Sequence, residues 1–327
     1  MRLRRSDPNG PGYRRRRRGR GFSFLDGDGR PLTDPRQLAR LRSLAIPPAW
    51  RDVWVCPDPD GHIQATGIDA AGRKQYLYHP LWRARRDEAK FDHILDVAAR
   101  LPALRRRVAA DLRRRGLTRE RVLAAAVRLL DLGVFRVGCD EYAAGEDPTF
   151  GVATLRPEHV RARRGAVVLA FPAKGGVELV RRVEDPGVCA VLRDLRRRRR
   201  TADRLFAYWA ERQWRDVHSD DINAYLREAS GGPMTAKDFR TWHGTVLAAA
   251  RLAETGTQPT AGRCRRAVAS VMREVAELLG NTPAVARKSY VDPRVVELFH
   301  DGVTADIPRR ASRAALERAV LDLLRQE

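Results

Sequence analysis

The chain has 327 residues, with 63 Lys plus Arg against 41 Asp plus Glu, a formal net charge of +22. Hydrophobic residues make up 43%, which excludes wholesale disorder, and the length predicts two domains. No run approaches the roughly eighteen apolar residues of a membrane helix, and the basic N-terminus lacks the apolar stretch of a secretory signal.

The bases are five lysines and 58 arginines. Such an excess makes nucleic acid the leading partner, because phosphate contacts release counterions, with an anionic membrane as the weaker alternative. The four cysteines, Cys56, Cys139, Cys189 and Cys264, are widely spaced with no CxxC pair. That spacing argues against a zinc site or disulfide framework and for ordinary thiols in a reducing cytosol.

In chain order, residues 1–20 hold Arg2, Arg4, Arg5 and the block Arg14 to Arg18. A self-repelling run with no apolar face predicts a disordered tail, either solvated or acting as a non-specific DNA arm. Residues 21–85 predict a small β-rich domain. Phe22 to Leu25 runs into the turn Asp26-Gly27-Asp28-Gly29, and a short helix follows at about 34–44. Asp52–Cys56 and His62–Gly67 flank a Pro-Asp-Pro-Asp-Gly turn, and Lys74–Tyr78 makes a further strand.

From residue 86 to 327 the pattern is mostly helical. Phe91, Ile94, Leu95, Val97 and Ala98 recur at helical spacing, and Pro102 predicts the restart of a second helix. A third covers 119–133. Val167–Phe171 and Val177–Val183 flank Pro172-Ala173-Lys174-Gly175-Gly176, a hairpin with a tight turn. Helices are expected at about 187–199, 219–229, 235–254, 261–279 and 310–325. The fold class is therefore α+β: a small N-terminal β-sheet domain, then a mostly α-helical domain with an embedded β-hairpin.

Four segments carry candidate chemistry: Phe135 to Tyr142, Lys174 at the hairpin tip, Lys237 to His243, and Leu279 to Tyr290. Thr235 is a good N-cap with Asp238 at N3, which puts Lys237 and Arg240 on one helix face, with Gly244 four residues beyond. Gly280 reads as a helix stop, and Thr282-Pro283 as the N-cap and first residue of a short helix. Asp292-Pro293 begins the next, so Tyr290 ends a helix of about two turns with its hydroxyl free to face outward. Taken singly, each has an ordinary explanation as a cap, a solvated face or packing. His243, one turn from Arg240, reads as structural.

Together, Arg136, Lys174, Lys237-x-x-Arg240, Asn281 and Tyr290 resemble, in order and spacing, the type IB DNA topoisomerases, above all the compact poxvirus-like and bacterial group. Ile46-Pro47-Pro48-Ala49-Trp50 and Gly72-Arg73-Lys74-Gln75-Tyr76-Leu77-Tyr78-His79 resemble the same group, so the likeness spans residues 22–305. It implies a two-domain clamp on duplex DNA and a monomer that needs neither metal, cofactor nor ATP. It also implies a cytoplasmic, nucleoid-associated enzyme that relaxes supercoils of both signs.

In that family the tyrosine, here Tyr290, attacks a phosphodiester to give a 3′-phosphotyrosine. Arg136 and Arg240 would hold the non-bridging oxygens, where charge develops. Lys174 would protonate the leaving 5′-oxygen. Asn281 stands where many relatives have His, and could donate to a phosphate oxygen without carrying charge. Gln75, Tyr76 and Tyr78 match a DNA-contacting strand, although Tyr76 and Tyr78 share one face of it and Gln75 takes the other. Tyr142 and Lys237 match phosphate-contacting positions. Two alternatives remain open at this point: a tyrosine recombinase, whose usual motif is His-x-x-Arg, and a DNA-binding clamp that has lost its chemistry.

Overall fold

A computed structural model describes residues 2–133, 135–144, 146–198 and 203–325. The chain divides into two compact units, Met1–Phe91 and Asp92–Glu327.

In the first unit, strands β1 (Tyr13–Arg18), β2 (Gly21–Leu25), β3 (Arg51–Val55), β4 (Ile63–Ile68) and β5 (Lys74–Tyr78) form one antiparallel sheet in the order β2-β1-β3-β4-β5. Helix α1 (Pro35–Ser43) covers one face. Asp34 caps it by accepting the Arg36 N–H at 2.9 Å, with Pro35 in the first turn. Phe24, Leu41, Val53, Val55 and Ala65 form the core there.

Strand β1 corrects the expectation of a disordered tail, because the arginine block is built into the interior of the sheet. Its pairing explains why. Arg14 to Arg18 zip against Leu25 to Gly21, and Tyr13 and Arg14 pair with Val55 and Trp54. Only Arg15 turns its side chain inward. Its guanidinium donates to the carbonyls of Ile46 (3.0 Å), Pro47 (3.1 Å) and Trp50 (2.7 Å) and stacks over Phe22 at 4.1 Å. Burial lowers its pKa. Carbonyl dipoles and an aromatic face thus stand in for the carboxylate that the run lacks.

Helix α2 (Pro80–Leu112) runs on through Pro102 without a restart, a second correction. Ile94, Leu95, Val97, Ala98, Leu101, Leu104 and Val108 are buried on both sides of the proline. Burial at about 1.5–3 kcal/mol per large side chain outweighs the roughly 3 kcal/mol penalty of an interior proline.

In the second unit, helix α3 (Arg119–Gly133) is the apolar centre, with Val122 to Val127, Leu129 and Leu130 buried. A single turn, α4 (Asp140–Ala143), follows. Strands β6 (Val160–Arg163), β7 (Ala166–Pro172) and β8 (Glu178–Val183) make an antiparallel sheet, so the expected hairpin gains a third strand. Next come α5 (Pro186–Arg198) and a second hairpin, β9 (Ala207–Ala210) with β10 (Gln213–Asp216). The expected end of the α5 helix at residue 199 lies outside the described residues. The remaining helices are α6 (Ser219–Ser230), α7 (Ala236–Thr255), α8 (Ala261–Leu279), α9 (Pro283–Ser289), α10 (Pro293–His300) and α11 (Arg313–Arg325). Among the described residues, no helix is long and apolar enough to cross a membrane.

Candidate active site

The loop after α3 is pinned before it presents Arg136. Val152 N–H donates to the Arg136 carbonyl (2.9 Å) and Ala153 N–H to that of Val137 (2.7 Å). Two glycines permit this approach. A Cβ on Gly151 would lie 2.4 Å from the Gly138 nitrogen, and Gly138 itself has φ +87°. From this anchor the Arg136 Nη2 donates to the Gly280 carbonyl (2.9 Å) and to Asn281 Oδ1 (3.1 Å).

Arg240 approaches the same point from α7. It is only 4% exposed, and its Nη2 donates to the Leu279 carbonyl at 2.7 Å. Both guanidiniums therefore grip the C-terminal end of α8. Gly280 (φ +57°) turns the chain there, and Asn281 N–H returns to the Ala276 carbonyl at 2.9 Å. Helix-end carbonyls carry partial negative charge, which holds two cations without neutralising them. Burial, and then the charge of Arg240, lower the Arg136 pKa. Burial lowers that of Arg240, against the Tyr290 phenol, which raises it.

Tyr290 is the C-cap of α9, half-buried, with its ring centroid 5.1 Å from the Arg240 guanidinium carbon. Its carbonyl passes close to α7 opposite Gly244, where an added Cβ would lie 2.8 Å from it. A glycine inside a 20-residue helix costs about 1 kcal/mol relative to alanine, and this close approach is the structural reason for it.

Lys174 stands exposed at the β7–β8 tip. Ala173 N–H bonds the Val177 carbonyl (2.8 Å), Gly176 N–H bonds that of Ala173 (3.0 Å), and both Gly175 and Gly176 have positive φ. Lys237 is exposed in the first turn of α7. That turn is fixed by Asp238, whose carboxylate accepts the Thr235 N–H (2.8 Å) and hydroxyl (3.0 Å), and by Asn223 Oδ1, which accepts the Ala236 N–H (2.9 Å). Tyr142 is exposed on α4.

Arg136, Tyr142, Lys174, Lys237, Arg240 and Tyr290 line one cleft of about 780 Å³, with Glu141 and Asp147 at its wall. Asn281 stands behind Arg136, with its oxygen on that guanidinium and its Nδ2 donating to the Leu279 carbonyl at 3.3 Å. Gln75, Tyr76 and Tyr78 lie on β5 in the first unit. Tyr76 and Tyr78 stack at 6.0 Å on its exposed side, while the Gln75 amide donates to Asp69 at 2.9 Å. His243 lies on α7 against Asp131 (3.6 Å) and Arg313 (3.3 Å), and does not line the cleft. Gly138, Gly151, Asn223 and Thr245 were not singled out in the sequence. Of these, only the glycines leave a sequence signal, as interruptions without a turn pattern around them.

An N-terminal antiparallel sheet followed by a helical unit, whose cleft gathers cations around a tyrosine, is the architecture of a type IB topoisomerase, and the comparisons agree. Residues 79–305 match the family described as eukaryotic DNA topoisomerase I, catalytic core, and residues 21–69 match the bacterial DNA topoisomerase IB N-terminal domain. The chain is 30% identical over 299 residues to DNA topoisomerase 1B of Acanthamoeba polyphaga mimivirus, covering 89% of this chain and 88% of that protein. It belongs to the type IB DNA topoisomerases, enzymes that act on DNA.

Proposed function

We propose that this enzyme relaxes positive and negative supercoils by transiently cutting one DNA strand through Tyr290, with no metal ion and no ATP. The Tyr290 oxygen attacks the phosphorus and loses its proton to solvent. The P–O5′ bond breaks, and the 5′-oxygen leaves with a proton from Lys174. The strand is held as a 3′-phosphotyrosine while the duplex swivels, and the 5′-hydroxyl then reverses the exchange. One phosphodiester is traded for another, so no energy input is needed. Arg136 and Arg240 stabilise the negative charge on the non-bridging oxygens. Asn281 holds Arg136, while Lys237 and Tyr142 take flanking phosphates. Tyr76 and Tyr78 contact the duplex from the exposed face of β5, and Gln75, which starts on the other face bound to Asp69, reaches it from the strand's end.

The observation that carries this reading is the buried Arg240 guanidinium and the half-buried Arg136 guanidinium beside the Tyr290 ring, held by helix-end carbonyls and depressed in pKa. An anion placed between them relieves that cost. The same proposal takes the enzyme as a monomer acting on the chromosome in the cytoplasm.

The test is relaxation of positively and negatively supercoiled plasmid in EDTA without ATP, comparing wild type with Tyr290→Phe. Wild type should relax both and leave a covalent protein–DNA adduct on a denaturing gel. Tyr290→Phe should bind DNA yet give neither. An adduct in the Tyr290→Phe enzyme, or a wild type that needs metal or ATP, would overturn the reading.

A further inference from the structure

The geometry points to a second DNA-contacting element, the arginine row of strand β1, which lies outside both family-matched ranges. Alternation puts Arg14, Arg16 and Arg18 on the face opposite Arg15, and all three are exposed. Among the described residues none of them forms an ion pair, whereas Arg4 in the same unit pairs with Asp58. Strand register places the row. Arg14 pairs with Trp54, Trp54 with Thr66, and Thr66 with Tyr76, so the arginines share a sheet face with Tyr76 and Tyr78. The N-terminal segment crosses the middle of that face, where Trp54 Nε1 donates to the Gly10 carbonyl at 3.2 Å, leaving the arginines and the tyrosines exposed on either side.

Three inter-strand spacings separate β1 from β5, about 14 Å. The major groove is about 12 Å wide. Tyrosines at the groove and arginines on the bordering phosphates therefore fit one duplex. The partner is duplex DNA, read by charge and not by sequence.

The test replaces Arg14, Arg16 and Arg18 by Gln and measures affinity for a labelled duplex against salt. Each lost phosphate contact lowers the slope of log affinity against log salt by about 0.9, so the triple variant should lose up to about 2.7. Arg→Lys at the same three sites should restore the slope, since it counts charge. Gln at Arg263, Arg265 and Arg266 on α8 removes equal charge and should leave the slope in place. The single Arg16→Gln change reports the same effect at one-third size if the triple variant folds poorly. An unchanged slope, or an equal loss from the α8 variant, would overturn the proposal.

A separate observation concerns Thr245, and it rests on the reading of Tyr290 as nucleophile. We infer that Thr245 is a positioning residue that sets the distance between Tyr290 and Arg240. Its hydroxyl is fully buried. It donates to the Tyr290 carbonyl (3.3 Å) and accepts the Asp292 N–H (3.1 Å). Asp292 caps α10 through the Arg294 N–H (3.0 Å), and on the other side Tyr290 N–H bonds the Ala286 carbonyl (3.0 Å). The segment after the tyrosine is thus tied to the helix that carries Arg240, five residues or about 7.5 Å of helix rise away. One rigid element holds both the phosphate-binding guanidinium and the tether of the attacking group.

Thr245→Val keeps the shape and removes the hydroxyl, and Thr245→Ser keeps the hydroxyl. In single-turnover cleavage the Val variant should be about 10- to 100-fold slower. Its DNA affinity should be unchanged, and Ser should recover most of the rate. Hydrogen exchange at the Asp292 amide should speed up in the Val variant while the α7 amides stay protected. Wild-type cleavage by the Val variant, failure of Ser alongside Val, or unchanged exchange at Asp292 would overturn the inference. Absence of an adduct in wild type would instead sink the reading of Tyr290, and the exchange measurement would still decide the tether.

Discussion

Two arginine clusters in the second unit are built from the same residue type on shared elements, and they end in opposite electrostatic states. Around Asp131, near the end of α3, Arg105 binds both carboxylate oxygens at 2.9 Å and Arg313 binds at 2.6 Å, while Glu317 accepts Arg105 at 2.6 Å. Burial works against the Arg105 charge, but Glu317 and Asp131 outweigh it and raise its pKa. Five residues after Asp131, Arg136 enters the cleft. Three residues before His243, which faces Asp131, Arg240 does the same. There the guanidiniums meet carbonyls and each other, and their pKa values fall. A buried cation with a counter-ion is finished structure. The cleft pair is set among helix-end carbonyls and the Tyr290 phenol, an arrangement that suits an arriving phosphate.

The sharpest way to break this contrast is Arg240→Met. It should slow DNA cleavage by about a thousandfold or more, as losses of single charge-stabilising donors do. Its melting temperature should hold or rise, because an electrostatic cost has been removed. A clear fall in melting temperature would show that Arg240 serves the fold. At the other cluster, Asp131→Asn removes the buried carboxylate but leaves Glu317 on both Arg105 and Arg313, and should destabilise the unit by about 1–3 kcal/mol. Urea unfolding would read this, with cleavage per folded molecule little changed.

Asn281→Asp brings the two clusters into one test, because it places a carboxylate on Arg136 where the amide oxygen now stands 3.1 Å away. Stability should rise while cleavage and DNA affinity fall. A rate equal to wild type would mean that the neutral character of the Asn281 partner on Arg136 is not functional.

The smallest expected effect is on pH. Burial, and then the charge of Arg313, push His243 from about 6.5 down to about 4, with Asp131 and Glu317 pulling the other way. The unfolded chain therefore takes up the proton first. This contribution is whole above pH 6.5 and is lost as pH falls toward 4, at most about 3 kcal/mol. His159, lowered by burial, adds in the same direction, whereas Asp131, itself lowered, acts only below the carboxylate range. Thermal melts of His243→Gln should show a flatter decline than wild type from pH 6.5 to 4.

Much of this was legible in the residues. Thr235, Asp238, Gly280, Thr282 and Pro283 are local stop and start signals, and they placed Arg240 and Tyr290 on their elements because capping acts within a turn. The apolar period of α3 marked the central helix for the same reason. Strand β1 was not legible. An arginine run carries no apolar alternation, and its order comes from two partner strands and the carbonyls around Arg15. Pro102 misled in the opposite sense, since its local penalty is real but a continuous buried face overrides it.

The sequence by itself determined which side chains are present and how the helices begin and end, since propensity and capping depend on neighbours a few residues apart. Only the tertiary structure decided which arginines meet a carboxylate and which meet helix-end carbonyls. It alone brought Gly244 and Thr245 beneath the Tyr290 backbone. Burial and counter-charge are properties of space, and Arg136, Arg240 and Tyr290 become neighbours only once α3, α7 and α9 have packed around the end of α8.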